Sequence, residues 1–355
     1  MTEFGDSTLL VTGGAGFLGT VVVRELTARF PGRVVSLHRR PPRPGDPPMP
    51  HPHVEYRCDL RDGDRWHGLL READYVLWMA SLRDHGASTT EAYRQNVAPL
   101  RSAVEVLRDS RRLKRFVYTS SISAVDQPHG PRRPQPIADG AAECPSTPYG
   151  RSKLDAERVI AAGGLPHTTL RLPFLYGPGF RKGSFVDFYH RVATNPLLSA
   201  FRFTANLSLL YTGDLAGIVL EVLAARNAAA ADAPPYLVSD GHSHEVDELV
   251  TAVARLHGLR RPARRVPAAA SEAISAAALR SRAWLRPGPV RRGRALLLAS
   301  YWSHAAFTRD YFTVDSSRFR SAFPGCSFTD VDVGLAHSFA GSATPGPAQI
   351  SEWNR

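Results

Sequence analysis

The sequence predicts an α/β protein: a doubly wound parallel sheet followed by a smaller, mixed C-terminal region. Three observations predict it. Short apolar strands alternate with helical patterns through the first half of the chain, which is the signature of βαβ units. The first strand runs directly into glycines at 13, 16 and 19 and then into a helix. Tyr149 precedes Lys153 by four residues in a helical pattern, and Lys153 is one of only three lysines (with Lys114 and Lys182) among 44 basic residues.

The elements follow in order. Ser7–Val11 reads as the first strand. Thr20–Phe30 reads as a helix with Val22, Val23 and Leu26 on one face. Between them the glycines permit a tight turn, a close backbone approach to a pyrophosphate and close packing of helix on strand. The amino end of that helix then faces the phosphates. Arg33–Leu37 is the second strand, whose end selects the cofactor in a dinucleotide fold. A carboxylate there suits the ribose 2′-hydroxyl of NAD, and a base suits the 2′-phosphate of NADP. This chain has His38, Arg39 and Arg40 and no carboxylate. Two guanidiniums match a phosphate, so NADP(H) is expected over NAD(H). The bland reading of the same residues is a solvated basic loop entering the proline-rich stretch 41–52.

Val54–Cys58 and Asp74–Ala80 are the third and fourth strands, the latter an apolar run of the buried parallel type. Thr89–Ser110 reads as one long helix containing Asn96. Arg115–Thr119 is the fifth strand and runs into Ser120, Ser121 and Ser123, hydroxyls at the end of the sheet where open α/β folds bind ligands. A proline-rich loop leads to a helix over Tyr149–Ala162, opened by Ser146-Thr147-Pro148. His167–Leu172 is the sixth strand. On a helix Tyr149 and Lys153 share a face, and an ammonium beside a phenol eases its ionisation, the property of a general acid or base.

Composition narrows the class. At 355 residues, with 43% hydrophobic and 22% charged residues, the chain can bury a sizeable core. No apolar run is long enough to span a membrane, and no basic-then-apolar leader opens the chain. Cys58, Cys144 and Cys326 are odd in number and far apart, which fits neither a disulfide framework nor a zinc site. The scattered histidines lack partners at ligand spacing, so no metal is expected. Together these point to the cytoplasm. The net charge of +11 raises nucleic acid as a partner, but the arginines are dispersed and no nucleic-acid-binding motif accompanies them, so none is expected.

In order and spacing over roughly residues 1–240, the chain resembles the extended short-chain dehydrogenase/reductases, the superfamily of nucleotide-sugar epimerases, 3β-hydroxysteroid dehydrogenases and dihydroflavonol reductases. Thr12–Gly19 fits the family's TGxxGxxG turn. Asp59-Leu60 fits its adenine-contacting pair, Asn96-Val97 its helix asparagine, and Phe116–Ser121 the strand delivering a catalytic serine. Tyr149 and Lys153 fit YxxxK. Leu170–Pro178 fits the nicotinamide-lining segment, and Thr212–Ala216 a returning structural motif. The resemblance implies a Rossmann-type fold. It implies Ser121, Tyr149 and Lys153 as catalytic residues, with Ser120 and Ser123 as fallback serines. The cofactor contacts it implies are Gly13, Gly16, Phe17, Leu18 and Gly19 at the pyrophosphate, His38, Arg39, Arg40, Asp59 and Leu60 at the adenosine, and Ala80, Asn96, Thr119, Tyr149, Lys153, Pro173 and Phe174 along the rest. Ser81, Ser123, Phe174, Tyr176 and Lys182 are the implied substrate contacts, although a solvated loop lysine is an equal reading of Lys182. Family habit suggests a homodimer.

There are two departures from the family pattern, the first read as core packing at Trp78 and the second bearing on the substrate. Trp78-Met79-Ala80-Ser81 replaces the usual His-Leu-Ala-Ala ending of the fourth strand. Phe174 stands where nucleotide-sugar epimerases usually carry an asparagine, which makes the pocket more apolar. The expected organisation is residues 1–176 with 208–238 for the cofactor, 177–207 with 239–340 for the substrate, and a flexible tail at 341–355. Leu209–Thr212, Asp214–Ala225 and Tyr236–Val238 are expected to return to the sheet, followed by helices over Val246–His257, after Thr313 and over Thr329–Phe339. Arginines interleave with Trp284, Leu285, Tyr301 and Trp302 through 272–306. That pattern suits a peripheral membrane contact, a cap over the cleft or a dimer contact.

The functional expectation is an NADPH-dependent ketoreductase of a bulky, relatively apolar steroid-like or secondary-metabolite ketone. The runner-up is a nucleotide-sugar 4-ketoreductase or epimerase. It needs a diphosphate site within 174–207, where Arg181, Lys182 and Arg202 are the candidates. A catalytically idle member of the superfamily is a third reading, against which the intact Ser121, Tyr149 and Lys153 argue.

Overall fold

The computed structural model describes residues 4–39, 53–82, 87–125, 135–179, 185–195, 198–225, 234–267, 269–270, 273 and 311–340. Arg40, Arg181, Lys182, the segment 272–306 (Glu272 and all but residue 273) and the tail 341–355 lie outside them.

Seven strands form the main sheet: β1 (Thr8–Thr12), β2 (Arg33–His38), β3 (His53–Arg57), β4 (Tyr75–Trp78), β5 (Arg115–Ser121), β6 (His167–Leu172) and β10 (Tyr236–Leu237). Their order across the sheet is β3-β2-β1-β4-β5-β6-β10, and every pair is parallel. The chain winds outward from β1 to β3, then crosses back to β4. The order therefore reverses between β1 and β4, and a crevice opens there at the carboxyl ends of the strands.

Helices cover both faces because strands buried on both sides carry apolar residues throughout. Leu9 and Val11 of β1 pack with Val22, Val23 and Leu26 of α1 (Phe17–Arg29) and with Leu215, Val219 and Val222 of α7 (Asp214–Ala224). Leu10, on the other face, packs with Leu70 of α2 (His67–Arg71), Leu100 and Val104 of α4 (Ala98–Leu107), and Ala156 and Ile160 of α5 (Pro148–Ala162). A third core joins α6 (Phe185–Thr194), α8 (Val246–Leu256) and α10 (Val331–Phe339) with Leu207 of β8 (Asn206–Leu207) and Leu209 of β9 (Leu209–Tyr211). There β8 lies between β11 (His244–Glu245) and β12 (Tyr311–Phe312). The helix α9 (Ser317–Ala322) puts Phe319 against Tyr236 at the sheet edge.

Three elements depart from the sequence reading, each for a physical reason. The fourth strand stops at Trp78, because the Met79 and Ala80 N–H groups donate instead to Thr12 Oγ1 at 3.2 and 3.1 Å. The long helix is two, α3 (Thr89–Asn96) and α4, broken at Val97 (φ −106°). Pro99 has no N–H for the Gln95 carbonyl, and its ring collides with that carbonyl. Leu209–Tyr211 does not return to the main sheet. It pairs in parallel with β7 (Phe174–Tyr176) in a separate two-stranded sheet, while β10 takes the edge beside β6.

Candidate active site

The crevice begins at the glycine turn. Gly13 has φ +81°, and a Cβ there would lie 2.9 Å from the Ala80 nitrogen. A Cβ on Gly19 would lie 2.1 Å from the Gly13 carbonyl oxygen and 2.7 Å from that of Gly14. Only glycine permits this packing. Gly16 caps α1 without a side-chain hydrogen bond, so no capping side chain takes up the first-turn amides of Phe17, Leu18 and Gly19. They form the positive end of a helix, which suits a pyrophosphate. Thr12, whose hydroxyl pins residues 79–80 over Gly13, supports this floor and was not singled out by the sequence reading.

At the adenosine end, His38 is buried and its Nε2 lies 4.0 Å from Glu55. Burial lowers its pKa more than Glu55 raises it, so the ring is neutral at neutral pH. Glu55 reaches the end of β2 from β3, a carboxylate that chain order alone did not place there. Arg57, directly opposite His38 in the register, adds a positive charge. Arg39 is half-exposed, with Nη1 3.8 Å from Asp59. Asp59 accepts from Arg61 Nε at 3.0 Å, Arg61 Nη2 at 2.6 Å and the Arg61 amide at 3.0 Å. The Arg61 hydrogen bonds hold its carboxyl down to about 2. Leu60 packs on the second core.

The chemical end is carried by β5 and α5. Thr147 caps α5, its Oγ1 accepting from the Gly150 amide at 3.0 Å, and Pro148 supplies the preset first turn. A Cβ on Gly150 would lie 2.2 Å from the Ser123 carbonyl, so glycine lets the first turn of α5, with Tyr149, press against the turn after β5. Ser121 ends β5, its Oγ accepting from the Ser123 amide at 3.2 Å. Tyr149 and Ser123 are half-buried. Lys153 is 2% exposed and donates to the Thr119 carbonyl at 2.8 Å. Its ammonium lies 4.8 Å from the Tyr118 ring centre and 5.8 Å from that of Tyr149. Burial brings the Lys153 pKa down to about 7, with Glu157 opposing. The hydroxyl of Thr119 is spent on the Trp78 carbonyl at 3.3 Å.

Other predicted residues take different places. Asn96 clamps the chain after β4: its Oδ1 accepts from the Leu82 amide at 2.7 Å, and its Nδ2 donates to the Leu82 carbonyl at 3.1 Å and to Ser152 Oγ at 2.9 Å. Its amide holds protein rather than facing a ligand. Ser81 is exposed beside half-buried Ala80. Pro173 is buried between β6 and β7. Phe174 is half-buried, edge-on to Phe312 at 5.7 Å. Tyr176, expected at the substrate, is 1% exposed. Gly334 of α10 packs onto its ring so closely that a Cβ would lie 2.7 Å away; burial also pushes the phenol up. Tyr176 is a core residue. Among the described residues no cluster of three or more His, Cys, Asp or Glu is placed to hold a metal, and no helix is long and apolar enough to cross a membrane.

Residues 9–233 match the model of the NAD dependent epimerase/dehydratase family. The chain belongs to that family. Among curated relatives it is similar to a UDP-glucose 4-epimerase of Streptomyces lividans, 29% identical over 184 residues, covering 49% of this chain and 53% of the relative. It is also similar to a 3 beta-hydroxysteroid dehydrogenase/Delta 5-->4-isomerase of Mycobacterium tuberculosis, 32% identical over 202 residues and covering 51% of each. The chain thus spans about half the length of the curated relatives it matches. A solved structure described as MoeE5 in complex with UDP-glucuronic acid and NAD superposes with a TM-score of 0.67 at 23% identity, covering 95% of this chain and 98% of that one. That likeness is one of fold. The family model and the structural neighbours agree with the seven-stranded Rossmann-type architecture and with an enzyme family that works with NAD.

Proposed function

We propose that this chain is an NADPH-dependent ketoreductase acting on a bulky, relatively apolar ketone, steroid-like or from secondary metabolism. The observation that carries the reading is Lys153, buried to 2% exposure and held by the Thr119 carbonyl beside Tyr149. A buried lysine without a full ion pair costs stability, and such groups concentrate where chemistry needs them. The glycine floor and the bare amino end of α1 fit a dinucleotide pyrophosphate, and Arg39, with Arg40, is the proposed partner of the 2′-phosphate.

When bound, the reduced nicotinamide supplies a hydride to the carbonyl carbon. Tyr149 gives its phenolic proton to the oxygen on which charge develops, and Ser121 donates a hydrogen bond to that oxygen. The Lys153 ammonium stabilises the phenolate left behind, which solvent reprotonates. Ammonium and phenol must both be protonated, so reduction falls as pH rises through the Lys153 pKa. Phe174, Ser81 and Ser123, with Lys182, are the proposed substrate contacts; Tyr176 is not among them. The similarity to the hydroxysteroid dehydrogenase supports the substrate class.

A nucleotide-sugar 4-epimerase or 4-ketoreductase is the second reading, favoured by the similarity to the Streptomyces enzyme. It uses the same tyrosine and lysine but needs a diphosphate site, for which exposed Arg202 is the described candidate. Fluorescence titration with NADPH and NADH tests the proposal. Tighter NADPH binding, weakened by R39A, is expected. A preference for NADH unaffected by that substitution would return the basic residues to the surface and favour the epimerase, and binding of neither would end both readings.

A further inference from the structure

Tyr149, Lys153 and Glu157 recur every four residues on α5 and so lie along one face. Glu157 is 6% exposed, and nothing in the proposed chemistry uses it. It accepts a hydrogen bond from Ser120, the neighbour of Ser121 on β5. It also accepts from Arg171 on β6: Nε lies 3.0 and 3.2 Å from its two oxygens and Nη2 lies 2.6 Å from one. Arg171, itself buried, reaches on to Glu143 in the loop before α5 at 3.1 Å, and Glu143 meets Arg158 at 3.2 Å. Buried carboxylates survive only when paired this fully.

We propose that Glu157 is a positioning residue of the site: through Ser120 and Arg171 it fixes α5 against β5 and β6, and its charge, one turn from Lys153, keeps that buried ammonium protonated. The groups facing Lys153 among the described residues are few. Tyr149 and Glu157 lie on its own helix, the Tyr118 ring and Thr119 carbonyl lie on β5, and Arg171 stands behind Glu157 on β6. Tyr118, fully buried, has its phenol pushed far up by desolvation and by Glu157 and stays neutral. Glu157 is therefore the anion that offsets the burial of Lys153, and on this proposal Arg171, the cation paired with Glu157, acts with the opposite sign. The catalytic consequence rests on the reductase reading; the charge coupling does not.

The test follows the Lys153 proton directly. With three lysines in the chain, selective ¹³Cε-lysine labelling gives three signals, and K153R identifies the one of interest. In the cofactor-free protein its titration midpoint is expected near 7. E157Q should lower it by about one unit, and R171Q should raise it by a similar amount. E157D, which keeps the charge, should leave it within about half a unit of wild type. A merely structural role moves no midpoint or moves both in the same direction, and either result overturns the proposal. Should E157Q fail to fold, the upward shift in R171Q decides alone. Because the readout needs neither cofactor nor substrate, it stands or falls separately from NADPH binding, which tests the function.

Discussion

The two ends of the cofactor crevice are built by different means. The phosphate end is backbone: glycines at 13, 16 and 19, uncapped amides of α1, and a threonine hydroxyl tying down residues 79–80. The chemical end is buried charge: Lys153, Glu157 and Arg171 beneath a half-exposed tyrosine. A backbone cradle carries no titratable group and should be indifferent to pH, but a single methyl can destroy it. A buried charge cluster tolerates small changes of shape and is sensitive to any change of protonation.

The largest effect should come from breaking the cradle. Gly19→Ala puts a methyl into two backbone carbonyls that cannot yield, costing about 1–3 kcal/mol of stability. NADPH and NADH binding should both be lost in titration; retention of either would show that the turn is not the phosphate site. Next is Tyr149→Phe, which should reduce turnover by about 10²–10⁴-fold while changing cofactor affinity far less.

A third effect isolates the charge. The folded pKa of Lys153, about 7, lies below the ordinary lysine value of 10.5. The unfolded chain therefore binds more protons across that window, and this group makes stability rise with pH from about 7 to about 10.5. In Lys153→Met that contribution is gone. The melting temperature of wild type minus variant should climb through the window, and a flat difference would mean that Lys153 titrates normally. The smallest effect is expected at the exposed adenosine end. Arg39→Ala should weaken NADPH about tenfold and leave NADH unchanged, measured by titration.

The contrast also explains what the sequence could show. The cradle and the Tyr149–Lys153 pair are local, made by neighbours in the chain or on one helix turn, and are legible as spacing. The parallel, doubly wound class of the sheet followed from the alternation of strands with helices, whereas the strand order came only with the fold. The break at Val97 was legible too, since Pro99 stands in the pattern, and reading Thr89–Ser110 as continuous overlooked it. What stayed hidden joins distant segments. Glu157 meets Ser120 and Arg171 only because α5 packs over β5 and β6. Glu55 reaches His38 only through strand pairing. Tyr176 reads as a site residue by position in a motif, but Gly334, over 150 residues later, buries it. The amide of Asn96 is likewise committed to Leu82 and Ser152, partners that no local spacing announces.

The most direct test of the account is single-turnover mixing of the enzyme–NADPH complex with a panel of steroid and polyketide-like ketones and, in parallel, of the enzyme–NAD complex with UDP-hexoses. Wild type should consume one NADPH per alcohol formed from an apolar ketone. Tyr149→Phe should still bind NADPH and consume almost none, and the UDP-hexoses should remain unchanged. Interconversion of a UDP-hexose with every ketone untouched, or full turnover by Tyr149→Phe, would contradict it.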